Sequence, residues 1–117
     1  MDYLYQNGEN AFDVWKLDNG EFLVQVKVKD FSGQLCYCIE DENLVDYVQH
    51  LKQLDESEQG EFKFADMDSD SFIHFEKIKF GHVKISGQLG MKFRNNYLVF
   101  EMDADQTVIT NLIERLK

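Results

Sequence analysis

The chain has 117 residues, enough for one domain and too few for a second with its own core, which excludes modular enzymes. With 44% hydrophobic and 14% aromatic residues and no proline, it can bury enough apolar surface to fold alone, so global disorder is excluded as well. Twelve Lys and Arg against 22 Asp and Glu give a net charge of -10, a field that repels nucleic-acid phosphate and anionic membranes and favours a basic partner.

The start, Met1-Asp2-Tyr3-Leu4-Tyr5, is acidic and polar where a secretory signal needs a basic start and an apolar run. No stretch approaches the ~20 apolar residues that span a bilayer, so a cytoplasmic location is expected. Cys36 and Cys38 lie two apart in a strand-like run, on one face but too far along the chain for an easy bridge, so free thiols are expected. Two cysteines also fall short of the four ligands of a structural zinc. No metal and no cofactor is expected.

In chain order, residues 12–40 read as a three-stranded meander, with apolar alternations separated by two turn signals. Asn19-Gly20 suits a two-residue hairpin turn, which sets Leu17 opposite Phe22 and Trp15 opposite Val24 and places Trp15 in the core. The second turn falls on Asp30-Phe31-Ser32-Gly33; closing it with Lys29 opposite Gln34 sets Val28, Val26 and Val24 against Leu35, Tyr37 and Ile39. The reverse face is mostly polar. Over 41–55 the period changes: Leu44, Val45, Tyr47, Val48, Leu51 and Leu54 fall at helical spacing, with Asp41 or Asn43 as the N-cap.

Residues 61–102 read as a four-stranded meander. A loop at Met67-Asp68-Ser69-Asp70 sets Phe62 and Phe64 opposite Phe75 and Ile73. A three-residue loop at Lys79-Phe80-Gly81 pairs Phe75 with Ile85 and Glu76 with Lys84, an opposite-charge cross-strand pair. Asn95-Asn96 suits a type I′ turn and pairs Phe93 with Leu98, Met91 with Phe100, and Leu89 with Met102. A second amphipathic helix follows, its stripe made by Val108, Ile109, Leu112, Ile113 and Leu116, with a capping-box spacing at Asp103 and Gln106 and Asp105 as the alternative cap. The fold class is therefore α+β in a single domain over 1–117: two antiparallel β-meanders forming one curved sheet or two adjoining sheets, packed against two amphipathic helices.

The sequence holds no phosphate-cradling glycine pattern, nucleophile elbow or paired-cysteine motif. Asp66-x-Asp68-x-Asp70 begins like a calcium loop, but Ser71 replaces the turn glycine and Lys77 the bidentate glutamate, so it reads as a solvated hairpin loop. His74 and His82 share a face but stand roughly 13 Å apart along the strands at ~3.3 Å per residue, too far to share a metal. His50 lies on the first helix, with Asp46 as its nearest preceding acid. The densest acidic run, Asp55, Glu56, Glu58, Glu61, Asp66, Asp68 and Asp70, is opposed only by Lys63. It reads first as a solvated loop pair that aids solubility and second as a docking surface for a basic partner. Tyr3, Tyr5, Phe31 and Phe80, near ends and turns, are the aromatic candidates to anchor such a contact.

From about Val24 onward the chain resembles the WapI-like family of bacterial immunity proteins, typified by the immunity partner of a wall-associated contact-dependent toxin. The resemblance is carried by Val24-Gln-Val-Lys-Val-Lys-Asp-Phe-Ser-Gly33, the helix from Leu44 to Leu54, Gly60-Glu-Phe-Lys-Phe64, and the run Tyr97-Leu-Val-Phe-Glu-Met-Asp-Ala-Asp-Gln-Thr107. Asp105, Gln106 and Thr107 form its most specific signature, which by physics is a helix-start motif with a structural role. The resemblance implies a cytosolic, non-catalytic inhibitor that binds and neutralises a protein toxin domain. An acidic blocker suits a basic, nucleic-acid-cleaving toxin, because it can occupy the surface meant for phosphate. The residues themselves leave two other readings open: a small-molecule-binding or regulatory domain with a ligand between sheet and helix, and an enzyme using His74 or His82.

Overall fold

The computed structural model describes residues 3–117, apart from the side chain of Phe93. Strands β1 (Tyr5–Asn7), β2 (Asn10–Lys16), β3 (Phe22–Val28) and β4 (Phe31–Tyr37) lead into helix α1 (Asp41–Glu56); β5 (Gly60–Ala65), β6 (Phe72–Lys77), β7 (His82–Met91) and β8 (Asn96–Asp105) follow, and helix α2 is Thr107–Leu116. Each group of four strands is an antiparallel meander in chain order, so the alternation builds two sheets and not one curved sheet. Their inner faces meet through aromatic contacts: Phe12 with Phe75, Phe22 with Phe64, and Tyr37 stacked on Phe64. Helix α1 lays Tyr47 and His50 on Phe62, so the space between helix and sheet is filled by side chains. Helix α2 buries Val108, Ile109, Leu112, Ile113 and Leu116, the stripe its period predicts. The buried side chains of both sheets and both helices join in one hydrophobic cluster.

The predicted pairings of β5 with β6 and of β6 with β7 are those observed: Phe62 faces Phe75, Phe64 faces Ile73, Phe75 faces Ile85 and Glu76 faces Lys84. The Lys84 ammonium nevertheless pairs with Glu101 of β8, at 3.1 Å. Three hairpins differ from expectation. Between β2 and β3 the loop holds three residues and not two: Leu17 and Glu21 bond across it, and Gly20 takes the left-handed conformation at φ 89° that closes it. Val14 then faces Val24 and Trp15 faces Leu23, so the one-residue change turns Phe12 and Val14 into the core and Trp15 to the other side. Between β3 and β4 the turn is Lys29-Asp30, with Lys29 at φ 54°, and Val28 faces Phe31. Between β7 and β8 a short 3-10 turn, Lys92–Arg94, ends on Asn95 at φ 58°, and Leu89 faces Leu98, not Met102. Phe93 lies in that turn instead of pairing with Leu98. Strand β1 was not expected; its turn uses Gly8 at φ 62°.

Helix α1 begins at Glu40 without a side-chain cap, so neither Asp41 nor Asn43 serves as one; Asp41 and Glu42 instead lie in the first turn, where the helix dipole favours them. Val45, expected on the buried stripe, is exposed. At α2 the capping box of Asp103 and Gln106 does not form. The Asp105 carboxylate accepts from the Thr107 backbone N–H at 2.9 Å and from the Thr107 hydroxyl, fixing the turn that starts the helix.

Candidate functional site

The acidic run is divided by the fold. Asp55 and Glu56 end α1 and Glu58 follows it, Glu61 lies on β5, and Asp66, Asp68 and Asp70 lie beyond the far end of β5, roughly 20 Å away at ~3.3 Å per strand residue. The two ends differ in how far their charges are committed within the chain. Asp66 is buried; its carboxylate accepts from the Cys38 N–H at 2.8 Å, the Asp68 N–H at 3.3 Å and the Ser69 hydroxyl at 2.6 Å, tying the loop to the end of β4. Asp70 accepts from the Lys92 N–H at 3.4 Å. Glu61 faces His74 at 3.4 Å, and Asp55 faces the Thr110 hydroxyl at 3.4 Å. Glu56 and Glu58 have no ion pair or side-chain hydrogen bond among the described residues.

The α1 end of the run lines an open groove of about 550 Å³, whose other walls are Lys77, Lys79, Phe80, Gly81 and Gln106. Lys77 sits in its floor for a reason visible in the strand. Ile73, Phe75 and Lys77 alternate on the buried face of β6, so the pleat turns the lysine inward, and only 4% of it is exposed. Its ammonium donates to the carbonyls of Leu54 at 3.2 Å and Asp55 at 2.9 Å in the last turn of α1, where the Leu54 carbonyl also accepts from the Ser57 N–H. The positive charge therefore compensates the helix end while the carboxylates of Glu56 and Glu58 face water. On the other side of Lys77 a second open depression is lined by Glu61, Glu76 and Ile78. Ile78, in the lining of this depression, is 45% exposed, and Phe80, in the wall of the groove, is 93% exposed. Of the other aromatic candidates, Tyr3 and Phe31 are exposed, and Tyr5 is partly buried against the core.

The histidines are dispersed: His50 rests on Phe62, His74 on Glu61, and His82 opens β7. No group of three or more His, Cys, Asp or Glu side chains converges on a metal-sized site among the described residues. Both cysteines are free thiols; partial desolvation, and then Asp68, push the Cys38 thiol above its ordinary pKa, which lowers its reactivity. No helix among the described residues is long and apolar enough to cross a membrane.

With these features in place, the chain matches the profile of the immunity protein WapI-like family over residues 2–117. It belongs to the WapI-like immunity protein family. No curated protein and no solved structure matches it significantly. In this WapI-like chain, Asp105, Gln106 and Thr107 join β8 to α2, and Gln106 also forms a wall of the groove. Two features escaped the sequence reading. Lys77 was visible as a lysine on the apolar side of an alternation, but its partner, the end of α1, was not. Asp13, fully buried in β2, accepts from the N–H groups of Leu4 and Val14, and the Arg115 guanidinium approaches it at 3.4 Å while stacking on Trp15. The signal for that cluster is a lone aspartate amid Ala11, Phe12, Val14 and Trp15.

Proposed function

We propose that this WapI-like chain is a non-catalytic immunity protein that binds a protein toxin domain in the cytoplasm and neutralises it, and that the toxin is a basic nuclease. Family membership across residues 2–117 carries the reading. The net charge of -10 supplies the sign of the partner: a surface built to hold phosphate is positive and is attracted to this field, whereas nucleic acid and anionic lipid are repelled by it. The groove residues Asp55, Glu56 and Glu58, with Glu61 beside them, form the side of the molecule offered to that partner; Asp68 and Asp70 form a second, smaller acidic end, and Asp66 is engaged in holding its loop. Gln106 aside, the Asp105-Gln106-Thr107 signature acts by starting α2.

The test is co-expression. The toxin domain encoded beside this protein is induced with and without it, and growth is followed. The expected result is arrest by the toxin alone, rescue by the pair, and recovery of the two chains as one complex. Toxicity without rescue overturns the reading. Nuclease activity in the isolated toxin, abolished by one equivalent of this chain, is the expected chemistry; a toxin that leaves nucleic acid intact overturns that part.

A further inference from the structure

The turn from β6 to β7 places a phenylalanine where neither the core nor the backbone calls for one. Phe80 is 93% exposed and is held at φ 67°, a left-handed conformation that a bulky side chain rarely adopts and that glycine takes without cost. Ile78, two residues before it, is also exposed. Phe80 shares the lining of the groove with Glu56 and Glu58 and with the exposed Lys79, and Ile78 shares the lining of the depression with Glu61 and Glu76, so carboxylates outnumber exposed cations around the apolar pair. Lys77, the nearest buried cation, directs its ammonium to the end of α1.

An exposed aromatic ringed by charge is the form of an interface hot spot, in which one side chain fills a pocket and the polar surround orients the partner. Resting on the immunity reading above, we infer that Phe80 is the anchor of the toxin contact: its ring enters an apolar pocket of the toxin, and Glu56 and Glu58 meet lysines or arginines at that pocket's rim. Charge decides the occupant. A second copy of this chain would bring -10 against -10 and set acid against acid at the rim, whereas a basic domain meets complementary charge.

The experiment titrates the neighbouring toxin domain, inactivated by a substitution at its own catalytic residue, with wild-type chain and variants, and records thermal midpoints of each. Phe80→Gly is expected to weaken binding by about 30-fold or more while its thermal midpoint stays level or rises, because glycine accepts the backbone of residue 80. Met67→Ala, in the loop at the far end of β5, is expected to bind as wild type. The double variant Glu56→Gln/Glu58→Gln is expected to associate more slowly than wild type at low salt and to match it at high salt. Wild type that binds together with Phe80→Gly that binds within about 3-fold of it overturns the anchor and leaves the immunity reading standing. Loss of binding in Met67→Ala alone moves the contact to the other acidic end and likewise overturns it. Wild type that fails to bind overturns both, and self-association of the chain without toxin overturns the choice of occupant.

Discussion

Tyr37 shows how one residue joins the two sheets and sets a pH limit. Its ring is fully buried and stacked on Phe64, and its hydroxyl donates to the Gln88 carbonyl at 3.2 Å. Burial first, and the Asp66 carboxylate second, push the phenol well above its ordinary value of 10.0. The folded chain therefore holds this proton more tightly than the unfolded chain. The stability it contributes is complete below about pH 10 and is lost as pH rises beyond that value. Tyr37→Phe is expected to cost about 1 kcal/mol at neutral pH by leaving the Gln88 carbonyl without its donor, and to show a shallower fall in stability above pH 10. Urea unfolding of both proteins at pH 7, 10 and 11 checks the two effects. At this scale the sequence was a partial guide. It marked Phe62, Phe64, Phe75 and Ile85 as inward because their alternation admits one parity. It misplaced Trp15 because β2 carries apolar residues on both faces, and Asp13, the residue that breaks the symmetry, is buried against Arg115.

Among the elements, β7 depends on close approach to β6. A Cβ at Gly87 would lie 2.2 Å from the Phe72 carbonyl oxygen and 3.1 Å from the Ile73 Cα. Gly87→Ala is expected to force the two strands apart and lower stability by about 3 kcal/mol, the cost of overpacking against backbone, read as a drop in the thermal midpoint. The hairpins also explain which registers could be read in advance. The β5–β6 and β6–β7 pairings were legible because each loop offered one length that kept apolar opposite apolar. The β3–β4 and β7–β8 pairings each slid by four residues. An even slide leaves every side chain on its own face, so hydrophobic alternation cannot detect it, and only the turn decides. Those turns use Lys29 and Asn95 with positive φ, and a lysine gives no turn signal. Strand β1, three residues long, is too short for alternation to mark.

For the whole molecule, the net charge of -10 predicts how binding responds to salt. Association with the toxin is expected to slow several-fold between low and physiological ionic strength, with dissociation changing far less; stopped-flow mixing across a salt series measures both, and a salt-independent rate removes the electrostatic contribution. The acidic surface was legible as a run of residues but not as a place, since a strand's length separates its two halves and one of its members, Asp66, holds a loop. The groove itself could not be read, because α1, the β6–β7 turn and the start of α2 meet only in three dimensions. That meeting of distant segments recurs at the first sheet. The Leu4 carbonyl is held by Asn111, 107 residues away, and Asp13 waits for Arg115 of the same helix. During synthesis β1 and β2 leave the ribosome long before α2 exists, so for most of translation a carboxylate destined for burial stays in water and the sheet that carries it stays open. The contacts that close the first sheet therefore form only after α2 emerges, and a chain truncated before that helix is expected to leave Asp13 and the Leu4 carbonyl without these partners.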